Sequence, residues 1–268
     1  MSRNFELLQR LEQERSEAQV VEIGSQQEPV HQPAFASPQA EVSPEWTAPL
    51  AVESRALETD SVAKDEIAKL VQRLFLLPNA SRTVAFSGVE TGNGCTWLTA
   101  RVADVLASQI AGTVCVLDGN LRAPDLHNCW HVENGSGLTD AMTGSESIVT
   151  YCRRLNRNNL WLLTGGAATT DGQSWIGSQA LRSRMAELRA KFDFVLIDAP
   201  AVTQSGDAVT WGHMGDGVVM VLGANATRRE SAHWAATELA AARVRVIGSV
   251  LNKRTFPIPE KVYSKLRF

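Results

Sequence analysis

The residues of this 268-residue chain best placed to do chemistry form one short run and two isolated acids: Gly92-Asn93-Gly94-Cys95-Thr96, Asp118 and Asp198. The run lies between an apolar stretch at 83–86 and a helix-forming stretch that starts at residue 95 or 96 and continues to 109. Small residues in a loop of this kind let successive backbone N–H groups close around an anion, and the helix N-terminus behind them adds positive dipole. Two later segments, VCVLDGNLRAP at 114–124 and FDFVLIDAPA at 192–201, are apolar runs that end in Asp118 and Asp198. They read as buried parallel strands with their chemistry at the C-terminal ends. The pattern points to phosphate binding, with one departure. A phosphate-binding P-loop requires Gly-Lys-Ser/Thr, and Cys95 occupies the place of the lysine that would reach the β- and γ-phosphates.

The elements that must position these residues follow from apolar periodicity. Strands are expected at 83–86, 114–117, 159–163, 194–197, 216–222 and 244–251, with helices at 96–109, after Gly137, at 178–191 and at 227–242. Their alternation predicts an α/β fold of three layers, a P-loop NTPase-like, mainly parallel sheet with helices on both faces. Upstream, residues 61–76 carry an apolar stripe of Ile67, Leu70, Val71, Leu74 and Phe75 that Pro78 limits. That stripe packs either on its own domain or against a neighbouring subunit. Residues 1–23 hold a short helix pattern, with Phe5, Leu8 and Leu11 on one face, that either frays or docks on a partner. Residues 24–60, punctuated by Pro29, Pro33, Pro38, Pro44 and Pro49, read as a flexible linker that contains one large aromatic, Trp46. The organised domain is expected over 61–268.

Composition narrows the class. A net charge of −3 gives no support for nucleic-acid binding. Four cysteines at 95, 115, 129 and 152 contain no C-x-x-C pair, which argues for a reducing compartment without a disulfide framework or zinc site. No run reaches the roughly 18–20 apolar residues of a membrane helix, and the N-terminus lacks the apolar core of a secretory signal. A cytoplasmic protein is the expectation.

From about residue 64 onward the chain resembles the bacterial tyrosine kinases of capsule and exopolysaccharide operons, relatives of the MinD/ParA-type P-loop ATPases. The resemblance rests on an ordered set of landmarks. Gly92-Asn93-Gly94-Cys95-Thr96 stands for Gly-x-Gly-Lys-Ser/Thr, and Asp118-Gly119-Asn120-Leu121-Arg122-Ala123-Pro124 for Asp-x-Asp-Leu-Arg-x-Pro, with His127 following. Gly137-Leu138-Thr139-Asp140, the strand ending Asp198-Ala199-Pro200, Asp216-Gly217-Val218-Val219 and Gly248-Ser249-Val250-Leu251-Asn252 complete it.

The resemblance implies ATP and Mg²⁺ as cofactors. Gly92, Asn93, Gly94, Cys95, Thr96, Trp97, Arg122 and Asn252 would then line the nucleotide, Thr96, Asp118 and Asp198 would organise Mg²⁺, and Asp118, Asn120 and Asp198 would stand at the catalytic positions. It implies a substrate tyrosine near the C-terminus, where only Tyr263 stands; Tyr151 is the other tyrosine in the chain. It also implies an inner-membrane co-polymerase or chain-length protein as partner, which would hold this chain peripherally at that membrane.

Three departures qualify these roles. Cys95 and Asn120 replace a lysine and an aspartate, the family's C-terminal tyrosine cluster is missing, and Glu90 stands where the MinD/ParA branch has a second lysine. A hydrogen bond to a charged group contributes about 1.5–3 kcal/mol, so nucleotide binding should be weakened roughly ten- to a hundredfold or more. Catalysis should suffer further, because phosphoryl transfer depends on neutralising developing charge. The resemblance therefore implies a degenerate kinase with a regulatory or scaffolding role, with an active tyrosine autokinase or ATPase, or a MinD/ParA-type positioning ATPase, as alternatives. Either the loop is now only a tight turn, or its N–H groups, Thr96 and Asp198 still hold nucleotide. Cys95 is either a thiolate favoured by the helix N-terminus or a small apolar filler. The Glu66, Lys69 and Gln72 spacing matches the family's interface pattern only in part, so self-association is expected to be weak.

Overall fold

The central strand is β1 (Thr83–Gly88), every residue of which is buried. It lies between β5 (Phe194–Ala199) and β6 (Val218–Gly223) and is parallel to both. This computed structural model describes residues 61–155, 159–167 and 175–254. The expected N-terminal helix, the linker with Trp46, and Tyr263 lie outside the described residues. Among those described, seven strands form one sheet in the order β3-β4-β2-β5-β1-β6-β7. The others are β2 (Val114–Asp118), β3 (Arg153–Arg154), β4 (Leu160–Leu163) and β7 (Val246–Asn252). All pairings are parallel except that of β3 with β4. Strands sealed on both faces need continuous apolar sequence, which TVAF, VCVL and FVLI supply.

Helices cover both faces. On one, α3 (Leu138–Thr143), α4 (Gln179–Lys191), α5 (Asp207–Met214) and α6 (Arg229–Ala241) bury Leu138, Leu181, Leu188, Trp211 and Leu239. On the other, α1 (Ser61–Val71), the π-helical turn Gln72–Leu76 that continues it, and α2 (Cys95–Gln109) pack over Val84, Phe86, Val116 and Leu196. The three-layer α/β architecture expected from the alternation is the one observed.

Three local differences from the sequence reading have physical causes. The central strands run further than their apolar runs, because the parallel ladder keeps pairing through Ser87↔Ala199 and Asp118↔Asp198. Both aspartates therefore sit on the sheet rather than in the loops that follow it. Helix α5 was not anticipated; its signal is the spacing of Ala208, Trp211 and Met214, all buried. The apolar stripe of residues 61–76 faces inward: Ile67, Val71, Leu74 and Phe75 are buried and Leu70 is half-buried against the same core. Phe75 meets Phe194 edge to face, with 5.8 Å between ring centroids. The stripe thus packs on its own domain. The outer side of α1 carries the exposed Lys69–Glu66 ion pair at 2.7 Å.

Truncating Phe75 to Ala should lower unfolding free energy by about 3–5 kcal/mol, the usual cost of emptying a buried aromatic site. Leu76→Ala, on the exposed side of the same turn, should stay within about 0.5 kcal/mol. Urea unfolding of the two variants checks this; equal small effects would return the stripe to an external interface.

Candidate functional site

The loop between β1 and α2 has the backbone of an anion cradle. Gly92 and Gly94 are left-handed, with φ of 83° and 80°. Gly94 is further restricted, because a Cβ there would come within 2.6 Å of the Asn252 side-chain nitrogen. Helix α2 begins at the next residue with no side-chain cap, so its first N–H groups face the loop.

The loop is held from three directions. After β5, Val202 N–H donates to the Gly88 carbonyl at 2.9 Å, and the Thr203 hydroxyl donates to the Val89 carbonyl at 2.8 Å. After β6, Thr227 accepts from Asn93 Nδ2 at 3.1 Å and from the Gly223 N–H at 2.9 Å. Asn93 itself is buried, and its Oδ1 accepts from the Glu90 N–H at 2.8 Å. From the end of β7, Asn252 Nδ2 donates to the carbonyls of Asn93 and Gly94 at 3.0 and 3.3 Å. Lys253 Nζ reaches the Gly92 carbonyl at 2.7 Å. Asn93 and Asn252, expected to line a nucleotide, thus use these side-chain groups to brace the loop that would line it. Thr203, Thr227 and Lys253 were not singled out in the sequence. Their contacts span 114, 134 and 161 positions and have no local signature.

The two aspartates sit side by side as register partners on β2 and β5, on strands about 4.8 Å apart. Their jobs differ. Asp118 accepts three backbone N–H groups, from Asn120 at 3.1 Å, Asp125 at 3.0 Å and Leu126 at 2.9 Å. It therefore shapes the turn that follows β2. Asp198 stands against Thr96 and Cys95, and its Oδ1 is buried without a hydrogen-bond partner. The Oδ1 of Asn120 is a second buried acceptor oxygen without a partner. Gly119 between them is required by packing: a Cβ there would lie 2.8 Å from Trp211, whose indole N–H donates to the Gly119 carbonyl at 3.1 Å.

Other candidate residues point elsewhere. Arg122 pairs with Asp207 at the start of α5, Nε to Oδ2 at 3.4 Å. Trp97 is partly exposed, with the Arg101 guanidinium 5.3 Å from its ring centre. Tyr151 packs against the core.

Among the described residues no group of three or more His, Cys, Asp or Glu side chains is arranged to hold a metal ion. A Mg²⁺ ion accompanying a nucleotide needs less, because it keeps waters and phosphate oxygens and takes one or two protein ligands. The orphaned Asp198 oxygen and the adjacent Thr96 hydroxyl fit that requirement. Asp118, with both oxygens already accepting, fits it less well.

Cys95 is not activated. Burial, then the neighbouring Asp198 charge, push its thiol well above the ordinary value. Both effects favour the thiol over the thiolate at the half-buried Cys95. The two carboxyls are also raised. Burial is the main cause for both, with repulsion from Asp198 added for Asp118 and from Asp125 added for Asp198. Asp118 is pushed up to about 8 and Asp198 to about 6 from an ordinary 3.8. The folded state therefore binds more protons than the unfolded chain between about pH 4 and pH 8, and stability falls as pH rises across that window. Asp198→Asn should flatten that slope and stabilise the ligand-free protein at pH 8 by about 1–3 kcal/mol. Thermal melts from pH 5 to 8 test this; a variant melting below wild type at pH 8 would show the carboxylate to be stabilising instead.

No family model matches the chain. It is 28% identical over 171 residues to tyrosine-protein kinase YwqD of Bacillus subtilis, covering 64% of this chain and 72% of that protein. It is 25% identical over 175 residues to the putative tyrosine-protein kinase CapB of Staphylococcus aureus, covering 65% and 76%. Over 158 residues it is 27% identical to the succinoglycan biosynthesis transport protein ExoP of Rhizobium meliloti, covering 58% of this chain but only 20% of that protein. The solved kinase domain of VpsO superposes with a TM-score of 0.67 at 21% identity, over 72% of this chain and 97% of that one. MinD of Pyrococcus horikoshii, solved with Mg-ADP, gives a TM-score of 0.55 at 22% identity, over 68% and 76%. In sequence this chain is similar to bacterial tyrosine kinases, and its fold is that of the P-loop NTPases.

Proposed function

We propose that this chain is a kinase-like P-loop protein that has kept a shaped nucleotide loop and lost phosphoryl transfer, and that it works as a non-catalytic partner in polysaccharide export. The observation that carries the first half is the position of Cys95. It stands where the P-loop pattern calls for a phosphate-reaching lysine, and its half-buried thiol beside Asp198 is held toward the neutral form. A hydrogen bond to a charged group contributes about 1.5–3 kcal/mol, so its removal weakens nucleotide binding ten- to a hundredfold. The transition state, which carries more concentrated charge, loses more. Asn120 compounds the loss, since an amide is neither a general base nor a strong metal ligand.

The bracing of the loop supports retained binding over collapse. Its glycines keep left-handed backbones, and Thr96 lies beside Asp198, so Mg-ATP would be held by backbone N–H groups, Thr96 and Asp198. Bound Mg²⁺ would offset phosphate charge and occupy the orphaned Asp198 oxygen. Asn93 and Asn252 keep the cradle in shape, and Asp118 keeps the β2 turn in place.

The pathway rests on the relatives. They include a succinoglycan biosynthesis transport protein and tyrosine kinases, which suits a partner of an inner-membrane co-polymerase. Among the described residues no helix is long and apolar enough to cross a membrane. An interaction with such a partner would hold the chain at the membrane from one side.

Purified protein incubated with Mg-ATP is expected to release no phosphate above background and to carry no phosphotyrosine at Tyr263. Cys95→Lys should tighten ATP binding about ten- to a hundredfold, read by calorimetry, because Asp198 and the loop are already in place to receive an ammonium. Phosphotyrosine on the wild-type chain in the absence of another kinase would replace this proposal with an active autokinase.

A further inference from the structure

We propose that Lys253 supplies the phosphate loop with the cation its own Gly-Cys-Thr run lacks, so that the loop remains a di- or triphosphate site. The inference deepens the reading of the loop as a retained nucleotide cradle and rests on that part of it. The lysine arrives from the opposite end of the fold. Helix α2 would have carried a loop lysine at position 95; Lys253 follows β7 instead, 161 positions from the carbonyl it meets.

Its placement is specific. Asn252, the last residue of β7, anchors the chain to Asn93 and Gly94 through its side-chain nitrogen. Lys253 then adopts a left-handed backbone with φ of 59°, unusual for a side chain of its type. That turn sends the side chain back over the loop, where Nζ lies 2.7 Å from the Gly92 carbonyl. An ammonium has three donors. One meets that carbonyl, and the others remain for acceptor oxygens arriving from solvent, to which the residue is exposed.

Independent features at the same place point to a ligand. A Cβ added to Gly92 would meet nothing within 4 Å, so the outer side of that residue faces open space. A cavity of about 390 Å³ is lined by Gly223, Asn225, Thr227, Leu251 and Arg254, and its Thr227 hydrogen-bonds the loop's Asn93 at 3.1 Å. Behind the loop, the buried Asp198 Oδ1 has no partner. A polyanion accompanied by Mg²⁺ satisfies all of these together: phosphate oxygens take the ammonium and the loop N–H groups, and the metal takes the carboxylate. A plain tight turn leaves the Asp198 oxygen unsatisfied and gives no use to a lysine in a disfavoured backbone.

The test is calorimetric titration of wild type, Lys253→Met and Lys253→Arg with inorganic pyrophosphate and with Mg-ADP. Wild type is expected to bind both, more weakly as salt rises. Lys253→Met should weaken both about ten- to a hundredfold, with an unchanged melting temperature in the absence of ligand. Lys253→Arg should stay within a few-fold of wild type, because the charge is kept. Wild-type protein that binds neither probe, or Lys253→Met that binds as wild type does, overturns the inference. A loss that Lys253→Arg fails to restore assigns Lys253 to holding the backbone and overturns it as well. The outcomes are separable from those of the catalytic proposal: a chain that phosphorylates itself but depends on Lys253 for pyrophosphate ends that proposal and sustains this one. A chain that binds no anion and transfers no phosphate ends this inference together with the retained binding it rests on, and leaves the loss of phosphoryl transfer standing.

Discussion

Two carboxyl groups buried side by side are the constraint around which the site is built. Asp118 and Asp198 are register partners on adjacent strands in the middle of a sheet covered on both faces. A buried charge must be neutralised, hydrogen-bonded or met by a cation. The fold answers differently for each. Asp118 receives three backbone N–H groups and thereby fixes the turn from Asn120 to Leu126. Asp198 is left with one open oxygen beside the phosphate loop. Gly119 is fitted between them under Trp211, and its N–H donates to the Asp198 carbonyl at 2.8 Å. Moving either strand by one residue would turn an aspartate to the other face of the sheet and separate the pair.

The phosphate loop depends on this arrangement and on little of its own. Its short side chains make few apolar contacts, so its shape comes from hydrogen bonds delivered by the ends of β5, β6 and β7. Parallel strands place all of their C-terminal ends along one edge of the sheet, so segments far apart in sequence meet the loop at once. Val202, Thr203, Thr227, Asn252 and Lys253 all reach it this way. None of these bonds involves the Cys95 side chain, so the loop's geometry does not depend on the side chain at that position.

The thiol at position 95 also bears on the electrostatics of the site. A lysine beside Asp198 would hold that carboxyl ionised. With a thiol there instead, burial raises the pKa of both the carboxyl and the thiol, and the thiol's hydrogen bond only partly offsets this for the carboxyl. The ligand-free site is consequently closer to neutral than its residue types suggest. Bringing in Mg²⁺ and phosphate would restore the charges in one step, linking binding to proton release.

The amino-acid sequence by itself determined the architecture. The apolar runs at 83–86, 114–117 and 194–197 can only be doubly covered strands, and the helices between them dictate parallel crossovers. The small residues from Gly92 to Thr96, and the aspartates ending two strands, marked the site, because these signals are local: glycine relieves a steric restriction at its own position, and strand burial is written in consecutive residues. The tertiary structure decided the roles. That Asn93 and Asn252 brace the loop and that Arg122 is drawn away by Asp207 depend on strands and helices meeting across more than eighty positions, and that Asp118 clamps a turn while Asp198 stays open depends on how the segment after β2 folds back on one carboxyl and not the other. It also decided that the stripe from Ile67 to Phe75 is core, since periodicity defines an apolar face and says nothing about what covers it. Cys95 is the clearest case. A helix N-terminus favours a thiolate, but burial beside Asp198 opposes it, and only the fold places that carboxylate against the sulfur.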